Sequence, residues 1–193
     1  MGILLVVRCF QLLRNPVVIV SLLLAGAWFF LSPSTTAVSS PDGGFTYPGY
    51  DVRGVEDFTI EARVLSRQNY HMGREADLSP TDLAIGWGPM ADESILADFQ
   101  ISQRNRWYFW KARQMPISRN EVITHSANVH IIPANADVSD ALSQVRTNDQ
   151  VRLVGQLVDV DGDDGWRWRT SRSRSDTGNG SCEVLWLERL EFI

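Results

Sequence analysis

The longest uncharged apolar run of the chain is Pro16 to Leu31, preceded by Arg8 and Arg14. At a rise of about 1.5 Å per residue this run spans about 24 Å, short of a hydrocarbon core of about 30 Å. Adding Phe10 to Leu13 closes the gap, with Arg14 reaching back toward the headgroups. Trp28, Phe29 and Phe30 stand where an interfacial aromatic belt belongs. The pattern predicts a cytoplasmic stub and one transmembrane anchor over residues 1–31. Both early charges are arginines and the next charge is Asp42, which puts the amino terminus inside and the remainder outside. A cleaved secretory signal is the competing reading, but Ser34-Thr35-Thr36-Ala37 is a poor cleavage site.

Residues 32–56 are rich in Ser, Thr, Pro and Gly with little apolar periodicity, which predicts a flexible linker. A globular domain is expected over 57–193. Phe58, Ile60, Ala62 and Val64 alternate with polar neighbours, the signature of a half-buried strand. Ser79-Pro80-Thr81-Asp82 reads as a helix start with proline in the first turn. A second short helix is expected over Asp92–Phe99, and Arg106–Lys111 (RWYFWK) reads as an aromatic strand. Val129 and Ile131 mark a further strand ended by Pro133. In Asp137–Arg146, Val138, Ala141, Leu142 and Val145 share one helical face, with Asp137 as the expected cap. Gln150–Val160 is a long strand with Gly155 at a bend, Asp161–Gly165 a turn, Trp166–Thr170 a second hairpin arm and Ser171–Gly180 a polar loop. Val184–Phe192 is the last strand. The fold class is mainly β with minor helix.

The passage Asn148-Asp149-Gln150-Val151-Arg152-Leu153-Val154-Gly155-Gln156-Leu157, following a helix, resembles the second half of OB-fold barrels. The resemblance covers about residues 130–193, and 57–111 more loosely; it implies an OB-like antiparallel barrel with helical inserts at 72–104 and 112–127. The whole chain also resembles bacterial membrane-anchored proteins of uncharacterised function with such an extracytoplasmic domain. That resemblance implies a single-pass protein of the inner membrane with its domain in the periplasm, and says nothing of an activity.

The address changes the charge balance. The chain carries 18 basic and 23 acidic residues; leaving out Arg8 and Arg14 gives 16 against 23, a net of −7 outside. Lys111 is the only lysine. A generic nucleic-acid or anionic-lipid binder is disfavoured by this charge. Cys9 and Cys182 are expected on opposite sides of the membrane, which leaves Cys182 a single cysteine in an oxidising compartment.

Candidate chemistry is sparse. His125 and His130 are five apart, a spacing that fits a shared metal on neither helix nor strand, and His71 lies far upstream. Asp159–Gly165 resembles the start of a calcium loop, but Asp164 stands where glycine is needed and Thr170 where the bidentate glutamate belongs. No phosphate loop, dinucleotide fingerprint or serine-nucleophile elbow is present, so no cofactor is expected. Aromatic and basic residues interleave twice, over Arg104–Lys111 and Trp166–Arg174. Trp107, Trp110, Trp166, Trp168, Arg167 and Arg169 are therefore the candidate ligand-binding residues, with rings packed into the domain wall as the structural alternative. Gly86-Trp87-Gly88-Pro89, with Asp82, offers a recognition loop or a packed insert. The expectation is a non-enzymatic, membrane-tethered binding or scaffolding module, with an envelope protein or a second copy as partner ahead of nucleic acid. The alternatives are a hydrolase using His125, His130 and Cys182, or a single-stranded nucleic-acid binder of OB type.

Overall fold

The computed structural model describes residues 38–39, 44–173 and 182–193. The expected membrane anchor lies outside the described residues. No helix among the described residues is long and apolar enough to cross a membrane.

The domain is mainly β. Its strands are β1 Val38–Ser39, β2 Gly44–Tyr47, β3 Tyr50–Asn69, β4 Thr81–Gly86, β5 Phe99–Arg104, β6 Trp107–Ala112, β7 Ser126–Pro133, β8 Gln150–Gly162, β9 Arg167–Trp168 and β10 Glu183–Phe192. The helices are α1 Arg74–Leu78, α2 Glu93–Leu96, α3 Arg119–Thr124 and α4 Ala136–Gln144, with a 3-10 turn over Gly88–Ala91. One sheet runs in the order β1-β2-β3-β4-β7-β10-β8-β9, and β8 also pairs with β3, so that β3, β4, β7, β10 and β8 close into a ring. Within the ring, β7 and β10 are parallel and the other neighbours antiparallel. The remaining pair, β5 and β6, is a separate hairpin inserted between β4 and β7.

Alternation along the strands sorts their two faces. Leu83 and Ile85 of β4, Val129 and Ile131 of β7, Leu153 of β8 and Leu185 and Leu187 of β10 meet in the main core cluster. Helix α4 closes that core with Val138 and Leu142, and Asn135 Oδ1 accepts from the Val138 N–H at 3.0 Å as its cap. The cap is Asn135 rather than the expected Asp137, because the chain turns extended one residue before α4 begins. Gly155 permits the close crossing of β8 and β10: a Cβ there would lie 1.9 Å from the Trp186 carbonyl oxygen. Register shifts between Leu187 and Arg189 at the same place.

Ser79–Asp82 does not start a helix. Thr81–Gly86 is paired with β3 on one side and β7 on the other, and every residue in it is buried. Two ladders and the burial of Leu83 and Ile85 outweigh the local Ser-Pro-Thr-Asp signal, and the single helical turn forms just upstream as α1. The helix expected over Asp92–Phe99 shortens to α2, capped by Asp92, whose side chain accepts from the Ser94 N–H at 2.8 Å. Upstream, β2 and the first residues of β3 fall inside 32–56: Val52 is fully buried beside Val158 and Val160, and Tyr50–Asp57 pairs with β8.

Candidate functional site

Both β4 and β7 are buried on both faces, which means their outer face is covered as well as their inner one. Apolar cover comes from the insert: Tyr108 and Trp110 of β6, Met90 of the 3-10 turn and Val122 of α3 pack over Ala84. Next to this patch the outer face becomes polar. Asp82 and His130 stand directly opposite one another in the β4–β7 ladder, with Asn128 two residues before His130 on the same face.

Asp82 is wholly buried. Its Oδ1 accepts from Arg106 Nη1 at 2.7 Å, and its Oδ2 lies 3.0 Å from His130 Nδ1 without the alignment of a directed hydrogen bond. Burying a carboxylate is costly unless it is paired. Here a guanidinium and an imidazole converge on it from two different elements.

Arg106 is held through Nη1, its backbone N–H and its carbonyl, while Nη2 is buried without a hydrogen-bond partner among the described residues. Nη1 also donates to the Ser79 carbonyl at 2.9 Å, the backbone N–H donates to Tyr70 Oη at 2.9 Å, and the carbonyl accepts from Asn128 Nδ2 at 3.1 Å. The guanidinium stacks 3.9 Å from the centroid of the Tyr70 ring. Burial is the main cause that pushes the Tyr70 phenol above its ordinary range. These contacts hold an unfavourable backbone: Asn105 and Arg106 form the two-residue turn of the β5–β6 hairpin at φ +52° and +67°. Such a turn favours glycine in its second position, and an arginine there is strained. The strain places a cation against Asp82 at the tip of a hairpin.

Arg106, Trp107, His130, Arg167, Trp168, Arg169 and Cys182 line a cleft of about 340 Å³. Four of the six sequence candidates, Trp107, Arg167, Trp168 and Arg169, therefore meet there. The Trp168 ring lies 5.0 Å from that of His130, and Trp166 backs it at 5.9 Å. Trp166 itself packs edge-on against Tyr50, with the Arg74 guanidinium 5.2 Å from its centroid. Trp110 lies away from the cleft, edge-on to Phe99 at 5.8 Å. Arg169 is anchored by the Val160 carbonyl at 2.8 Å and by Asp161, which Arg167 also approaches at 3.6 Å. In the acidic turn that resembled a calcium loop, Asp159, Asp161 and Asp164 thus pair with arginines.

Cys182 precedes β10 beside Asn128. Its Sγ lies 3.9 Å from Asn128 Nδ2 and 3.9 Å from the Arg106 carbonyl oxygen. His125 is elsewhere, at the end of α3, with Nδ1 3.0 Å from the Glu121 carbonyl oxygen and its ring 6.3 Å from that of Trp87. Glu121 and Ser118 form a capping box on the same helix. Among the described residues, no group of three His, Cys, Asp or Glu side chains is placed to hold a metal ion. The sequence reading missed the Asp82–Arg106–His130 cluster. A signal for part of it was present: Asn105-Arg106 lies between two runs of strand character, the spacing of a tight hairpin.

No family model, no curated protein and no solved structure matches the chain.

Proposed function

We propose that the ring is a barrel of OB type, and that the chain is a membrane-tethered binding module of the cell envelope whose cleft holds the carboxylates of an acidic protein segment. The barrel reading is supported by the ring order, by the single parallel pair β7–β10 and by α4 lying between β7 and β8. OB folds bind on the face of their second and third strands, flanked by the loops between strands one and two and strands four and five. In this ring those strands are β4 and β7, and the cleft is built from His130 of β7, the insert tip and the segment joining β8 to β10. The tether rests on the apolar run before Leu31.

The observation that carries the ligand class is the lining itself. Three arginines and two tryptophans face one cleft, and the central arginine is fixed by a buried aspartate before any ligand arrives. Preorganised guanidinium groups suit carboxylates, and flanking rings suit the side chains between them. The net charge of −7 outside opposes long-range capture of a polyanion, so recognition belongs to short-range contacts. The test is titration of the full-length protein with a synthetic acidic peptide, followed by tryptophan fluorescence. Saturable quenching that weakens with salt and is lost in Trp168→Ala is expected. Tighter, salt-sensitive binding of single-stranded nucleic acid, lost on Trp107→Ala or Arg169→Ala, would overturn the reading.

A further inference from the structure

We infer that Cys182, His130 and Asp82 form an acyl-accepting thiol centre on this cleft, with Cys182 as nucleophile, His130 as its base and Asp82 as the group that orients the imidazole. The inference goes beyond the binding reading and does not depend on which peptide the cleft holds.

Three adjacent strands bring the groups into a row. Asp82 of β4 is the ladder partner of His130 of β7. In the parallel pair, Val184 of β10 stands opposite His130 and Glu183 opposite Val129, so Cys182 falls beside Asn128, two residues from His130 on the same face. Thiol and imidazole line the same cleft.

His130 is the observation, independent of the cysteine, that points to a ligand. Its side chain is 5% exposed, and its Nδ1 is buried against Asp82. His130 lines the cleft, so with Nδ1 buried against Asp82 the rest of the ring, Nε2 included, is the part the cleft can reach. A buried imidazole with one nitrogen fixed by a carboxylate and the other open to a cavity is arranged to accept a proton there. Around the sulfur, the Asn128 amide is a donor that favours thiolate and can also serve an oxyanion formed beside it. In the resting thiol the S–H is directed at the Arg106 carbonyl 3.9 Å away, which it must leave to reach His130.

The substrate class is an ester or thioester of a carboxylic acid. His130 Nε2 takes the Sγ proton, and the thiolate attacks the carbonyl carbon, forming a C–S bond. The bond from that carbon to the leaving oxygen or sulfur breaks, and the leaving group receives the proton from His130. Water then attacks the thioester with His130 again as base, releasing the acid and restoring the thiol. No oxidant, metal or second cofactor is required. The hydrolase alternative drawn from sequence paired Cys182 with both His125 and His130; in the fold, Asp82 takes the place given to His125.

The test uses the full-length protein and reads the Cys182 peptide by mass spectrometry. Iodoacetamide alkylation is followed between about pH 5 and about pH 9, bracketing the ordinary thiol pKa of about 8.5. The wild-type rate should reach its plateau well below that value. His130→Gln should move the inflection up toward about 8.5 and slow alkylation near pH 6.5 by about tenfold. With 4-nitrophenyl acetate, wild type should carry one acetyl group on Cys182 and His130→Gln much less. A wild-type inflection at the ordinary thiol value, unchanged in His130→Gln, would overturn the inference. So would absence of the acetyl adduct. The wild-type profile needs no variant to fold, and acidic-peptide titration is read separately, so either proposal can fail alone.

Discussion

Asp82 and Asp161 both sit among basic side chains, in opposite surroundings. Asp82 is wholly buried and its partners are 18% and 5% exposed, whereas Asp161 is 32% exposed and faces Arg53, Arg167 and Arg169 at the rim of the sheet. Hydrogen bonding from Arg169, followed by the charges of the surrounding arginines, holds the Asp161 carboxyl below the usual carboxylate range. Yet water competes for every one of those contacts, and salt screens them. At Asp82 no water competes, so loss of one partner leaves a charge stranded in the fold. The count of arginines around a carboxylate therefore says little. What decides is whether the cluster must be complete for the chain to close over it. The exposed cluster orients two cleft arginines; the buried one is part of the architecture.

The largest expected effect follows from breaking the buried side. Asp82→Asn leaves the Arg106 cation without its counter-ion and should cost about 3–5 kcal/mol in urea unfolding of the full-length protein. A loss below about 1 kcal/mol would mean that water reaches this cluster and that the two aspartates are alike.

A neutral pair on the same outer face sharpens the contrast. Tyr108 Oη lies 2.5 Å from Ser126 Oγ, and Ser126 keeps its own bond to the Val122 carbonyl. Tyr108→Phe should therefore cost only about 1 kcal/mol. Burial pushes the Tyr108 phenol above its ordinary range. The raised value favours the neutral form in the folded state, so this contribution is present below about pH 10 and is lost as pH rises through the folded value. Alkaline unfolding should accordingly be less steep in Tyr108→Phe, measured by circular dichroism against pH.

On the exposed side, Asp161→Asn should leave the melting temperature within error of wild type while weakening acidic-peptide binding, because Arg167 and Arg169 lose their orientation. The lowered Asp161 value means that its contribution is present above about pH 4 and is lost as pH falls through the folded value. The smallest effect is salt: raising ionic strength should erase the difference in acidic-peptide binding between Asp161→Asn and wild type, and leave the difference in unfolding free energy between Asp82→Asn and wild type unchanged.

Much of the fold was legible because burial on one face writes itself as alternation or as a helical stripe. Gln150 to Val160 and the face of α4 carry such patterns and lie near the expected limits; Phe58 to Val64 alternates too but is the middle of the longer β3, and Val184 to Phe192 is β10 within one residue. Where both faces are buried the alternation vanishes. Thr81–Gly86 mixes Asp82 with Leu83 and Ile85 for that reason, and the local proline signal filled the silence. The early part of β3 was hidden differently, since only Val52 in Tyr50–Arg53 is buried and the neighbouring polar residues face outward. In the site, the rings and arginines were visible as composition, and four of six came together. The buried carboxylate and its partners were not, because Asp82, Arg106 and His130 meet only through the β4–β7 register and the hairpin tip.

The parallel pair in the ring has a consequence for how the protein is made. Strand β10 lies between β7 and β8, so it inserts into a gap rather than adding to an edge. Synthesis proceeds from the amino end, and β10 is the last ring strand to leave the ribosome. Until it does, β7 and β8 each present an open row of N–H and C=O groups, and Val129, Ile131 and Leu153 lack Leu185 and Leu187 as cover. Open edges flanked by exposed aliphatic side chains invite pairing with other chains. The nascent chain is thus a client for holding factors until β10 has emerged.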